Sequence, residues 1–333
     1  MTMEPLNTRT LDAGAADAGR PGPPQTLQPQ PIFTQGKPTS PREAELLQAT
    51  PGPQAGTRPL VVVKLGGASG IDADPLLRDL AGYDGPWVLV HGGNQELDAL
   101  SRKLGHEPRF VTSPSGHSSR VTDRDTIASI QMAYRGRINN DLVLRLQRLG
   151  VNAVGLSGVD GGLLKAERKE AIRVVADGRK FLLRDDFTGK LTAVNTHLIR
   201  LLLDNGYRPV VTLPALAVPP PGPKGDGQTL EAVNVDGDRA AAMIAGALGA
   251  ADLAILSNVP GLLRDPNDPS TLVERVAADD LASVEGFAQG RFKKKLLGVR
   301  EALDGGVRRV ILGTTNTAHP LEDALAGKGT VIQ

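Results

Sequence analysis

The chain has 333 residues, 40% of them hydrophobic, and a formal net charge of +1; this is ordinary globular composition with enough length for a sizeable core, and the near-neutral balance argues against nucleic acid or a membrane surface as a general partner. It has no cysteine, which excludes disulfides, thiolate catalysis and cysteine-type zinc sites and fits a cytoplasmic location. Aromatics are only 3%, so the core must be built from Leu, Val, Ile and Ala.

The first 58 residues carry ten of the 25 prolines and no sustained apolar period. Such a segment cannot bury enough surface to offset its ordering entropy, so residues 1–58 read as a disordered arm ahead of a folded domain over 59–333. The arm shows no basic stretch followed by an apolar run, so no secretory signal is read there, and the charge-free run 240–251 is too short to cross a bilayer.

The apolar run 60–63 predicts a buried strand, turned by Gly66-Gly67, and Asp74-Pro75 starts a helix with Pro in the first turn. Residues 87–90 predict a second strand ending in His91-Gly92-Gly93, with Asn94 capping a helix to residue 104. Two strand–glycine–helix units in succession predict a parallel sheet with crossover helices. Residues 110–120 read as a loop or hairpin beside the sheet edge. Thr122-Asp-Arg-Asp125 resembles a capping box, leading into helical segments up to 134 and over 137–149, separated at Gly136.

A third strand is expected over 152–156. Short runs at 172–175 and 181–183 flank Asp177-Gly178, a hairpin signal. A helix from Asn195, a strand over 209–213 and a Pro/Gly-rich surface loop over 214–230 follow. The rest comprises a helix over 239–248, a strand over 253–256, a turn at 265–268, a helix over 293–304 stopped by Gly305-Gly306, and strands at 310–312 and 330–332.

Ligands of open parallel sheets bind at the carboxyl ends of the strands. Lys64-Leu-Gly66-Gly67, His91-Gly92-Gly93 and the Ser257 to Gly261 loop all leave strand ends, where glycines let backbone N–H groups approach phosphate oxygens. Asn234-Val-Asp-Gly-Asp238 opens a helix. By itself it reads as an N-cap as readily as a site, because Asn and Asp accept bonds from unpaired helical N–H groups. Gly327-Lys328-Gly329-Thr330 lacks the spacing of a P-loop. Two lysines, two glycine turns and a carboxylate on an α/β pattern suggest phosphoryl transfer.

From residue 60 to 332 the chain resembles the amino acid kinase superfamily, in its acetylglutamate kinase branch. The motifs that carry the resemblance, in family order, are Lys64-Leu-Gly66-Gly67, His91-Gly92-Gly93, Arg120-Val-Thr-Asp123, Gly136-Arg-Ile-Asn139, Asn234-Val-Asp-Gly-Asp238 and Gly290-Arg-Phe-Lys-Lys-Lys295. Within the branch it looks most like the carrier-dependent kinases of the aminoadipate route to lysine, through Ser115-Gly-His-Ser-Ser-Arg120, Gly155-Leu-Ser-Gly-Val-Asp-Gly161 with Arg168-Lys169, and Gly290 to Lys295. Those enzymes phosphorylate α-aminoadipate whose amino group is attached to the small acidic carrier protein LysW.

The resemblance implies a three-layer αβα sandwich with a mainly parallel central sheet, an acceptor-binding region over about 59–213 and an ATP-binding region over about 214–333. It implies transfer of the ATP γ-phosphoryl group to a side-chain carboxylate. Lys64 and Lys295 would touch the phosphates and Asp238 would position both lysines. Gly66, Gly67, Gly92 and Gly93 would offer N–H donors, and Ser257 and Gly261 would contribute to the nucleotide site. Arg120 and Asn234 would hold the acceptor's α-carboxylate. Mg²⁺ would ride on the nucleotide phosphates, with no dedicated protein ligands, and a homodimer is implied. Lys293 and Lys294 are expected to be solvent-facing or to serve a partner. The basic residues of 165–184 read either as a landing surface for an acidic carrier or as a solvated hairpin face. Acetylglutamate kinase, and a non-catalytic amino-acid-binding regulator on the same fold, are the competing readings.

Overall fold

The computed structural model describes residues 58–114, 116, 118–176, 179–218, 229–287 and 291–333. The expected arm apart from Arg58, Ser115, His117, the Asp177-Gly178 turn, residues 219–228 and Gly290 lie outside the described residues.

The strands, in chain order, are β1 Val61–Leu65, β2 Trp87–His91, β3 Phe110–Thr112, β4 Ser118–Arg120, β5 Ala153–Gly158, β6 Leu164–Arg168, β7 Ala171–Ala176, β8 Arg179–Arg184, β9 Gly189–Val194, β10 Arg208–Ala217, β11 Glu231–Val233, β12 Asp252–Ser257, β13 Arg275–Val276, β14 Arg309–Thr314 and β15 Thr330–Ile332. An eleven-stranded sheet runs β13-β15-β14-β12-β1-β2-β10-β6-β9, with β5 and β11 also pairing with β10. Its centre is parallel: β1 pairs with β2 and β12, β10 with β2, and β12 with β14. The antiparallel pairs are β10–β11, β14–β15 and β6–β9.

Every residue of β1 and β2 is buried, as a strand covered on both faces requires. Alternation along β1 sends Val62 into one core, with helices Gly237–Leu248 and Arg291–Asp304, and Val61, Val63 and Leu65 into the other, with Asp74–Gly82, Asn140–Arg148 and Pro320–Leu325. Helices cover both faces, so the expected αβα sandwich is the fold. The boundary expected near 213/214 falls inside β10, and the sheet continues across it. No helix among the described residues is long and apolar enough to cross a membrane.

Four local expectations are corrected. The 110–120 hairpin forms, but with β7 and β8 it builds a separate antiparallel sheet, ordered β4-β3-β7-β8. The helix start near 122 is capped by Asp123, whose side chain accepts from Thr126 N at 2.9 Å, one residue later than the box reading. Gly136 does not interrupt the helical stretch; Gln131–Asn139 is a π-helix continuous with α-helices on either side. Asn94 does not cap its helix; its Oδ1 accepts instead from Tyr134 OH at 3.1 Å.

Candidate active site

Helix Gly237–Leu248 resolves the double reading of the Asn234–Asp238 motif by dividing the work between two aspartates. Asp236 is the N-cap, accepting from Asp238 N at 3.0 Å and Arg239 N at 3.1 Å. That frees the Asp238 side chain. Its Oδ1 lies 2.7 Å from Lys64 Nζ, at the carboxyl end of β1, and its Oδ2 lies 3.5 Å from Lys295 Nζ, on helix Arg291–Asp304. Gly298 favours this approach: a β-carbon there would stand 3.3 Å from the Asp238 carbonyl carbon, so the two helices would have to give by a few tenths of an ångström.

All three side chains are largely buried. Burial would raise the Asp238 pKa, but the two ammonium groups hold it well below the usual carboxylate range. Burial pushes Lys295 below its usual value, opposed by Asp238 and reinforced by Lys64. A carboxylate between two buried lysines spaces two positive charges that would otherwise repel.

These groups floor a cleft of about 840 Å³. Gly66, Gly67 and Gly92 line it, but not as equal donors. Gly66 N–H is committed to the Leu256 carbonyl at 2.8 Å, and Gly92 N–H makes a long bond of 3.4 Å to the Leu65 carbonyl. The backbone N–H groups of Gly67 and Gly93 are not taken up by the fold's own carbonyls among the described residues; Gly93 is not itself on the lining but sits between Gly92 and Asn94, which are. The first turn also needs glycine for packing: a β-carbon on Gly67 would lie 2.4 Å from the backbone Gly93 N, whereas one on Gly93 would meet the side-chain tip of Ile138 at 2.0 Å, which would have to shift. Ser257, Asn258 and Val259 continue the lining, whereas Gly261 lies outside it, packed against Thr330.

At the other end, Arg120 and Asn234 line the same cleft. Arg120 is not free: its Nη2 lies 2.5 Å from Asp98 Oδ1 and its guanidinium stacks 4.7 Å from the Phe110 ring centroid. Asn234 Nδ2 donates to Thr122 Oγ1 at 3.2 Å. Thr122 N and Thr188 N both donate to the buried Asp186 carboxylate, each at 2.8 Å. Asp98 and Asp186 have no signature in the sequence, because each acts through a partner brought near only by the fold.

Two lysines are corrected. Lys294 lines the cleft and donates to Ser119 Oγ at 3.2 Å, tying helix Arg291–Asp304 to the small sheet. Lys169 also lines the cleft, its pKa lowered by burial and by Arg239 and Lys294. Seven lysines and arginines face two aspartates on the lining, so the cleft suits anions. The basic run 165–184 divides between structures. Arg168 is taken up by Glu231 at 2.9 Å and the Phe187 ring at 3.8 Å, while Arg173, Arg179, Lys180 and Arg184 are exposed on the small sheet. Among the described residues no group of three or more His, Asp or Glu could hold a metal ion.

Known proteins resemble this chain in sequence and fold. The sequence profile described as the amino acid kinase family matches residues 59–314. The chain is 50% identical over 279 residues to a [LysW]-aminoadipate kinase of Deinococcus radiodurans, covering 82% of this chain and 91% of that one. It is 42% identical over 282 residues to one of Thermus thermophilus, covering 82% and 100%. An acetylglutamate kinase of Methanopyrus kandleri is 39% identical over 274 residues, covering 82% and 99%. Among solved structures, the N-acetylglutamate synthase of Neisseria gonorrhoeae superposes with a TM-score of 0.63 at 24% identity, over 82% of this chain and 59% of that one, which speaks to the fold. On its sequence and its fold alike, the chain belongs to the amino acid kinase family.

Proposed function

We propose that this kinase transfers the γ-phosphoryl group of ATP to the side-chain carboxylate of α-aminoadipate, or of glutamate, whose amino group is attached to a small acidic LysW-like carrier protein. The observation that carries the reaction class is the buried Lys64–Asp238–Lys295 triad beside two glycine turns. The acceptor is read from the named relatives in Deinococcus and Thermus and from the exposed cations of the small sheet.

A carboxylate acceptor is already ionised at neutral pH, so no general base is required. One of its oxygens attacks the γ-phosphorus. The bond from that phosphorus to the β–γ bridging oxygen breaks, and its electron pair leaves on ADP; the product is an acyl phosphate. The protein's task is to hold two anions in line and to offset charge on the transferring group. Lys64 and Lys295 supply the positive charge, kept apart and oriented by Asp238. Gly67 and Gly93 present N–H groups, and Ser257 lies at the nucleotide end. Arg120 and Asn234 hold the acceptor's α-carboxylate, a pairing suited to the planar guanidinium fork. Mg²⁺, carried by the nucleotide phosphates, would neutralise some of their charge.

An acidic carrier would approach the small sheet, where Arg173, Lys180 and Arg184 share one face and Arg179 lies on the other, and opposite charge speeds encounter. Replacing Lys64 by Ala should abolish acyl phosphate formation with the circular dichroism spectrum unchanged; retained turnover would refute the assignment. The Methanopyrus relative supports a second reading, phosphorylation of free acetylglutamate, and competition between the two acceptors separates them.

A further inference from the structure

His91 ends β2 with its ring fully buried, and nothing derived above uses it. Its hydrogen bonds fix its tautomer. Asn139, the last residue of the π-helix, donates from Nδ2 to the Val210 carbonyl at 2.9 Å, while its Oδ1 accepts from Arg135 Nη1 at 3.2 Å. The same Nδ2 meets His91 Nε2 at 2.9 Å, so Nε2 is the acceptor and the ring proton sits on Nδ1. Nδ1–H then donates to the Gly92 carbonyl at 3.0 Å.

That bond has a directional consequence. The one cis peptide among the described residues is Leu213–Pro214, so Gly92–Gly93 is trans and its C=O and N–H point opposite ways. Holding the carbonyl against the ring turns the Gly93 N–H away from it. A peptide flanked by two glycines can rotate at little cost and needs such a tether. The π-helix supplies the rest of the mounting. Tyr134 and Ile138 stand against Gly93, and Tyr134 OH bonds Asn94, so three side chains from one wide helical segment converge on this turn.

We infer that His91 is a positioning residue: through the Gly92 carbonyl it fixes the Gly92–Gly93 peptide so that the Gly93 N–H donates to the transferring phosphoryl group, with Asn139 locking the ring. This rests on the phosphoryl-transfer function proposed above. Loss of one such preorganised donor lowers the chemical step by about 10²–10³-fold, without weakening substrate binding in the ground state.

The test is a single-turnover measurement of acyl phosphate, trapped as hydroxamate, with whichever acceptor the wild-type protein uses. His91→Leu removes the donor to Gly92, whereas His91→Asn places an amide N–H near the position of Nδ1. The expected result is a loss of about 10²–10³-fold in the single-turnover rate for His91→Leu, an unchanged acceptor KM and nucleotide Kd, and substantial recovery in His91→Asn. Should His91→Leu fail to fold, Asn139→Leu, which frees the ring while leaving His91 in place, must show the same rate loss. A folded His91→Leu or Asn139→Leu with the wild-type rate overturns the inference, as does an equal loss in His91→Leu and His91→Asn. A wild-type protein that forms no hydroxamate with any acceptor refutes the proposed function instead.

Discussion

Replacing Asp238 with Asn tests the centre of the site at nearly constant shape. The carboxylate lies 2.7 Å from one ammonium and 3.5 Å from the other. At an effective dielectric near ~20, each contact at about 4 Å is worth roughly 4 kcal/mol of Coulomb attraction, some of which desolvation cancels. Removing one partner from a buried ion pair costs about 3–5 kcal/mol net. Here the loss leaves two buried lysines facing each other. Lys295 is already pushed below its usual pKa by burial and by Lys64, with Asp238 opposing. Without that opposition its pKa falls further, so one lysine is neutral over some of the range in which the wild-type pair is charged. The hydroxamate assay, run across pH, should therefore show a kcat loss of about 10²–10³-fold, in the range for losing one element of a preorganised charge-stabilising site. It should also show an alkaline limb displaced to lower pH. Wild-type kcat with an unmoved alkaline limb in Asp238→Asn would refute the reasoning.

Other predictions follow from the same geometry. Asp98→Asn should raise the acceptor KM about ten-fold, roughly 1.4 kcal/mol, with kcat within about two-fold, because Asp98 orients Arg120 from outside the cleft lining; a lowered KM would show that Asp98 competes with the acceptor. Gly67→Ala should abolish activity while a folded chain remains measurable by circular dichroism, since its β-carbon would meet Gly93 N at 2.4 Å. Reversing charge at Arg179 and Lys180 should raise the KM of a carrier-linked acceptor and flatten its salt dependence, leaving a free acceptor unaffected. His91 should also mark stability. Burial, with Lys64 and Arg135, pushes its pKa down to about 4, below the ordinary 6.5. The unfolded chain takes up the proton first, so stability falls as pH drops from about 6.5 toward 4. Unfolding free energies from urea titration should fall by roughly 2–3 kcal/mol more in the wild type than in His91→Asn between pH 7 and 4.5; parallel curves would contradict this.

The sheet was legible because its strands are uninterrupted apolar runs punctuated by glycine turns, and a run such as 60–63 has few other uses. The triad was legible only as three separated motifs in the right order. What escaped were features set by tertiary contact. Gly136 suggested a break in a helix that instead widens into a π-helix, whose geometry answers to Gly93 and His91 rather than to local propensity. Lys294 and Lys295 are adjacent and chemically identical, and only the crossing at Gly298 and the position of Ser119 give them different partners. Arg168 and Arg184 belong to one basic run, yet Glu231 and Phe187 claim the first and leave the second at the surface. Asp236 and Asp238 likewise divide capping from charge positioning through backbone direction alone.

The central claim is tested most directly by ATP consumption with three acceptors side by side: carrier-linked aminoadipate, carrier-linked glutamate and free acetylglutamate. The account predicts turnover with the carrier-linked acceptors and little with the free one. Efficient turnover of free acetylglutamate alone would contradict it, and would leave the exposed cations of the small sheet as ordinary surface.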